Sequence, residues 1–264
     1  MTVETGARPH EDTVDAFAAG IRGRVLQPGH PEYHEARLVR NGLIDRRPAL
    51  IVQCHGTADV VDSVNFARDH GLLLSVRGGA HNVAGNALND GGMVIDLSSM
   101  RSVSVDPEAR TARVQGGATW GDVDRETQLW GLAVPGGQVS TTGVGGLSLH
   151  GGMGVLHRTY GLTIDSLVAV EIVTADGHVR TASASENPDL FWAVRGAGSN
   201  FGVVTWFEFA LHSVGPEIYQ VVPLFSLDDA PVVLRKYRSF GASAPDAINP
   251  QAIFWSVPPV EDFP

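Results

Sequence analysis

Apolar and polar positions change period several times along the chain. ALIVQC (49–54), which follows Arg46, Arg47 and Pro48, is a continuous apolar run of strand length with β-branched content. The spacing then turns helical, with Val60, Val61, Val64 and Ala67 on one face. Thr57 stands where an N-cap belongs, Asp59 suits the positive end of the helix, and Gly71 stops it. LLLSV (72–76) reads as a second buried strand, so 49–76 is predicted as a strand, helix, strand unit with a right-handed crossover. GMVIDL (92–97), SVSVD (102–106) and the period-two stretch ARTARVQ (109–115) predict a small mixed sheet in the middle of the chain. SLVAVEIVTA (166–175) and HVRTAS (178–183) flank Asp176 and Gly177, a dipeptide that favours a type I′ hairpin. ENPDLFWAVRG (186–196) reads as a short amphipathic helix and NFGVVTWFEFAL (200–211) as a strand. From about 217 the pattern begins again, with IYQVVPLF as strand, DAPVVLRKYRSFG as helix and AIFWSV as strand.

Composition narrows the classes open to this chain. Of 264 residues 43% are hydrophobic and 18% charged, enough apolar material for a packed core and too little charge for an unfolded chain. No apolar run approaches the ~20 residues of a spanning helix. The opening MTVETGARPHEDTVDAF has no apolar h-region, so no secretory signal is read there and a cytoplasmic location is expected. With 19 basic against 29 acidic residues the net charge is −10, which repels a phosphate backbone, and nucleic acid is not expected as a partner. Cys54 is the sole cysteine, lies within a buried strand and is expected to be inert packing. No intrachain disulfide can form, and the ten histidines form no H-E-x-x-H, so no metal site is expected.

Glycine carries the chemistry. There are 31, and eight fall within GGQVSTTGVGGLSLHGGMG (136–154), a stretch with neither linker composition nor a standard helix or strand pattern. Backbone must pack closely against something there. A second small-residue loop, Arg77 to Asn82 (RGGAHN), follows a buried strand directly. Its N–H groups can form a concavity for an anion, with Arg77 adding charge, or the loop can be an ordinary Gly-Gly turn. Two glycine-rich, charge-poor walls in one domain suit a large, flat, partly anionic ligand such as a dinucleotide. No G-x-G-x-x-G occurs, since Ser148 stands where Gly143, Gly145 and Gly146 would need a third glycine, and the only lysine, Lys236, lies in no Walker motif. Gly146-Leu147-Ser148-Leu149-His150 narrowly misses the nucleophile elbow of a serine hydrolase, which remains a distant alternative. Asp96 and Asp165 read as caps or turn residues, or as partners of a ribityl or ribose hydroxyl.

PALIVQCHGTADV, SVRGGAHNVAG, the 136–154 segment with HRTYGLTIDSL after it, and ENPDLFWAVRGAGSNFGVVT, in that order from about Pro28 to Leu211, resemble FAD-linked oxidases of the vanillyl-alcohol oxidase and p-cresol methylhydroxylase (PCMH) fold, berberine-bridge-enzyme-like family. The resemblance implies an α+β chain: a helical segment at 1–43, a PCMH-type FAD-binding domain of two α/β subdomains at 44–214, and the start of an α+β substrate domain at 215–264. It implies that His81 is bonded through its ring to the 8α-methyl of FAD. Val139 holds the place of the cysteine that makes a second link in many relatives, so one covalent bond is implied. Arg77, Gly78, Gly79, Ala80 and Asn82 would hold the pyrophosphate, Thr142, Gly143, Gly146, Gly151 and Gly152 would line the FAD path, and Gly202 and Val203 would lie near the adenine end. His150 departs from three consecutive glycines usual in relatives. The implied activity is oxidation of a small molecule, an alcohol, sugar or amine, with hydride passing to flavin N5 and dioxygen as acceptor. Catalytic bases of relatives fall in the portion after residue 264, so none is assigned here. The alternative is a flavin-binding module without catalysis.

Overall fold

The apolar runs order the first of three sheets among the described residues, in a computed structural model that describes residues 9–256. Its strands are β1 (Arg24–Leu26), β2 (Leu50–Gln53), β3 (Leu74–Arg77) and β4 (Met93–Asp96), in the spatial order β1-β2-β4-β3. β2 and β3 both run parallel to β4, whereas β1 is antiparallel to β2. Period-two alternation divides the apolar side chains between two faces. Leu50, Val52, Met93 and Ile95 pack with Val14 of α1 (Glu11–Gly20) and with Val60, Val64 and Ala67 of α3 (Thr57–Asp69). Ile51 and Val94, one residue out of phase, pack with Leu26, Leu88, and Tyr33 and Ala36 of the short helix α2 (Tyr33–Ala36). Both faces of β2 and β4 are therefore covered, which explains why the first three residues of each strand are apolar.

GMVIDL thus does not belong to a mixed sheet with the strands that follow it. Apolar residues on both faces need cover on both sides, and β4, paired between β2 and β3, has α1 and α3 on one face and α2 with Leu88 on the other. The predicted strand, helix, strand unit exists as β2, α3 and β3, but its two strands are not neighbours. Thr57 is not the cap of α3 either. Gly56 holds the N-cap position, and the Thr57 hydroxyl donates to Glu171 Oε1 at 2.8 Å. Asp59, 3% exposed in the first turn, accepts backbone N–H groups from Arg22 (2.9 Å), Gly23 (3.1 Å) and His55 (2.8 Å).

The second sheet is antiparallel throughout, in the order β5 (Val103–Asp106), β6 (Thr111–Gln115), β10 (Val203–Ala210), β8 (Leu167–Val173), β9 (Val179–Ser183). Its core joins Val114, Val170, Ile172, Phe207 and Phe209 to Trp120 and Val123 of α4 (Trp120–Thr127). Below the strand β7 (Leu132–Ala133) in sequence, α5 (Val144–Ser148) adds Val144 to that core. The short α6 (His157–Tyr160) follows, and α7 (Pro188–Ala197) adds Phe191 and Val194. β11 (His212–Ser213) pairs antiparallel with β7. The hairpin from β8 to β9 turns differently from expectation. Gly177 is left-handed (φ +79°) and its N–H reaches Thr174 O at 2.8 Å, while Asp176 is not among the residues with positive φ. A type I′ turn needs both central residues left-handed. Here a type I turn ends in a left-handed glycine, and the Asp176 side chain accepts from His178 N–H and Arg180.

Residues from Glu217 onward form a separate compact unit. The predicted helix is present as α8 (Ala230–Ser243). IYQVVPLF and the described part of AIFWSV, up to Ser256, are not strands. A strand persists only where a neighbour completes its ladder, and among the described residues neither segment has one. Val257 lies outside the described residues. No described helix is long and apolar enough to cross a membrane.

Cys54, at the end of β2, has no solvent exposure, and burial, the largest influence on it, pushes its thiol up to about 12. Native protein treated with a thiol reagent at pH 8 is expected to react over the timescale of unfolding, and denatured protein at once. Immediate stoichiometric labelling of the native chain would contradict the buried placement.

Candidate functional site

Strand ends position the site. β3 and β4 run parallel, so the segments leaving their carboxyl ends, 78–82 and 97–101, emerge on the same edge of the sheet. They enclose an open cavity of about 170 Å³ lined by Arg77, Gly78, Gly79, Ala80, Ser98, Arg101, Gly117, Thr119 and Thr141. Among the described residues the backbone N–H groups of Gly78, Gly79, Ala80, His81 and Asn82 donate no hydrogen bond. Ala80 is held left-handed (φ +55°), and its carbonyl accepts the Arg40 N–H at 3.1 Å. A run of unpaired N–H groups around a left-handed residue is an anion-binding concavity.

The second glycine segment lies directly against this loop. A Cβ on Gly79 would come within 2.3 Å of Gly143 N, and one on Gly143 within 2.4 Å of Gly79 N. The two glycines are the condition for backbone to touch backbone. The rest of 136–154 is packed likewise, and it does contain one regular element, α5. Gly136 lies on the Trp120 indole, and a Cβ on Gly154 would overlap the carbonyl of Gly136.

Electrostatics at the cavity are largely balanced. Arg77 Nη1 bonds the Ala36 carbonyl and stands 3.4 Å from Asp96 Oδ2, and the Asp96 carboxyl, 1% exposed, also accepts Ser98 N–H. Arg77 therefore has a buried counter-ion at Nη1, while its Nε is buried with no partner among the described residues. Arg101 holds Asp122 through Nε (2.9 Å) and Nη2 (2.7 Å), and Asp122 Oδ2 takes both N–H and hydroxyl of Thr119. Burial favours a neutral Asp122, but Arg101 and Thr119 prevail and hold its carboxyl below the ordinary range. His81 Nε2 lies 3.0 Å from Thr141 Oγ1. Burial, and after it the Arg40 guanidinium, lowers the proton affinity of this imidazole below the usual histidine value. The shift favours the neutral ring.

The residues singled out in sequence separate into groups. Arg77, Gly78, Gly79 and Ala80 line the cavity, His81 flanks it, and Gly143 abuts Gly79. Asn82 is exposed, its side chain accepting the Asn86 N–H. Val139, 46% exposed, and Thr142 shape the second loop through their carbonyls, which accept the N–H groups of Thr142 and Trp120. Gly146 has open space beside it on α5. Gly151 and Gly152, both left-handed, accept N–H groups from Ile164 and Thr163, away from the cavity lining. Gly202 (φ +148°) precedes β10, and Val203 is buried opposite Val173. Ser98, Arg101, Gly117, Thr119 and Thr141 were not singled out. Ser98 and Arg101 follow the carboxyl end of a parallel strand, and Thr119-x-x-Asp122 is a helix-start pattern, so both carried a readable signal. Ser148 is fully buried at the end of α5, and its hydroxyl has no partner among the described residues. That is no place for a nucleophile that must meet substrate. No described His, Cys, Asp and Glu residues cluster as metal ligands.

A parallel-sheet edge carrying an anion concavity closed by a second glycine-rich loop defines a nucleotide-cofactor-binding domain. Residues 48–183 match the FAD binding domain family. (R)-6-hydroxynicotine oxidase of Paenarthrobacter nicotinovorans is 43% identical over 199 residues, 75% of this chain and 43% of that protein. The crystal structure of 6-hydroxy-D-nicotine oxidase from Arthrobacter nicotinovorans superposes with a TM-score of 0.72 at 43% identity, covering 74% of this chain and 43% of that one. Xylooligosaccharide oxidase from Myceliophthora thermophila superposes with a TM-score of 0.70 at 33% identity, covering 76% and 43%. The chain belongs to the FAD binding domain family and has the PCMH-type α+β fold of the berberine-bridge-enzyme-like oxidases. It spans less than half the length of these relatives.

Proposed function

We propose that this chain is the FAD-holding part of an oxidoreductase that takes hydride from a small-molecule alcohol, sugar or amine and passes the electrons to dioxygen. The observation that carries this reading is the run of unpaired N–H groups at 78–82, pressed against the second glycine loop with a neutral His81 at its end. The residues present fit FAD: the concavity suits its diphosphate, the backbone supplies free donors, and Arg77, held by Asp96 at Nη1, keeps beside them an Nε–H unpartnered among the described residues. When bound, FAD supplies a two-electron acceptor at N5. In this reading Arg77, Gly78, Gly79, Ala80 and Asn82 meet the diphosphate, and Arg77 also fixes the loop through Asp96. Thr142, Gly143, Gly146, Gly151 and Gly152 border the cofactor's path, and Gly202 and Val203 stand toward its adenine end. His81 is the single covalent tether, because Val139 offers no thiol for a second. Residues 44–214 hold the cofactor, 1–43 are the N-terminal segment of that domain, and 215–264 are the start of a substrate domain.

The test is an absorbance spectrum of the purified chain, then acid precipitation and intact mass. Flavin bands and one added FAD are expected, and substrate-dependent bleaching would separate an oxidoreductase from a flavin carrier. His81→Ala should keep the fold and release its yellow colour into the acid supernatant. Colour retained in the variant's pellet would refute the tether.

A further inference from the structure

Thr141 belongs to none of the residues read from sequence, yet it is the side chain bonded to His81. Its Oγ1 is 3.0 Å from Nε2, across 60 residues of chain. The loop carrying His81 is fixed from two sides. Arg40 N–H donates to Ala80 O at 3.1 Å and Asn41 Nδ2 to Val83 O at 2.8 Å, while Gly79 lies on Gly143 and near the Thr141 carbonyl. With its backbone held, the ring keeps two freedoms, its rotamer and its tautomer. A hydroxyl bonded to one nitrogen restricts both.

We propose that Thr141 is the positioning residue for His81: its oxygen accepts the Nε2–H, which orients the ring and fixes the tautomer whose lone pair is on Nδ1. Burial and the Arg40 charge keep the ring neutral, as that lone pair requires. Arg40 from the preceding strap and Thr141 from the second loop are the polar groups that bear on it. The inference rests on His81 being the flavin tether. In forming that link His81 Nδ1 bonds to the 8α-carbon, one methyl C–H breaks, and Nε2 gives up its proton across the hydrogen bond to Thr141. The two electrons released, with those two protons, reduce dioxygen to hydrogen peroxide. Without the hydroxyl the ring is free to turn, and the neutral form divides between tautomers.

The experiment uses the full chain purified without flavin, as wild type, Thr141→Val and Thr141→Ser, with circular dichroism confirming the fold. Ring ¹⁵N shifts report the His81 tautomer, and intact mass follows the adduct after FAD and oxygen are added. Wild type and Thr141→Ser should show the Nε2–H tautomer and gain one FAD. Thr141→Val should show mixed tautomers and bind flavin that acid releases, forming the adduct about 10²-fold more slowly. If Thr141→Val does not fold, the wild-type and serine shifts decide. A proton on Nδ1 in wild type, or equal adduct rates in wild type and Thr141→Val, overturns the proposal. Wild type that binds FAD without ever forming an adduct, while showing the Nε2–H tautomer, overturns the tether and leaves the Thr141 contact standing.

Discussion

Asp59→Ala is expected to destabilise the first unit by about 3–5 kcal/mol, the largest single-residue effect anticipated here. The carboxyl is buried and gathers three backbone N–H groups from two separate segments, Arg22 and Gly23 before β1 and His55 after β2. Alanine leaves those part-buried donors without their acceptor, and each group orphaned from water as well costs about 1–3 kcal/mol. Gly23 has no room to move toward another acceptor, since a Cβ there would already lie 1.8 Å from Gln53 O. Asp59→Asn is the informative contrast. Oδ2 takes two of the bonds and Oδ1 one, so an amide keeps two and turns its NH₂ toward the third N–H, at a cost of about 1–2 kcal/mol. Thermal or urea unfolding of the three proteins checks this, with a fall in Tm of roughly 10 °C for alanine. A loss below about 1 kcal/mol for Asp59→Ala would show that the three bonds are not what ties these segments together.

Gly143→Ala should abolish flavin retention and cost about 1–3 kcal/mol or more in the flavin-free chain. The added Cβ meets the backbone of Gly79, which is not a side chain that can swing aside. The loops must part, and the N–H groups at 78–82 then lose the arrangement that makes them a concavity. Gly79→Ala should behave the same way. The double variant should cost little more than either single one, because loops already parted have no contact left to lose. Gly146→Ala is the control, since nothing lies within 4 Å of its added methyl, and its stability should be unchanged or slightly raised. Additive losses in the double variant would mean that the two glycines act through separate contacts. The checks are visible absorbance after desalting and urea midpoints.

Local chemistry was legible where it decides by itself. ALIVQC and NFGVVTWFEFAL became β2 and β10, and the crowding of 136–154 followed from its glycines. What remained hidden depends on pairing at a distance. The register that sets Arg77 opposite Asp96 across β3 and β4 decides that this arginine has a counter-ion, and nothing near Arg77 in sequence says so. Asp176-Gly177 fits two hairpin turns, and the choice lies in backbone angles that composition does not specify. Thr141 and Thr142 are equivalent as a sequence pair. Only the crossing of the two loops gives the first a histidine and leaves the second to shape the backbone.

The order of strands in the first sheet has a consequence for synthesis. β2 and β3 leave the ribosome before β4, yet they share no ladder without it. Until residue 96 has emerged, only the β1 and β2 pairing is available, and both β3 and the far edge of the apolar β2 are unpaired. The strand that completes the sheet also aligns the two cavity-lining segments. A growing chain therefore gains the first wall of its cofactor site in the same event that fills the open edge of the apolar β2.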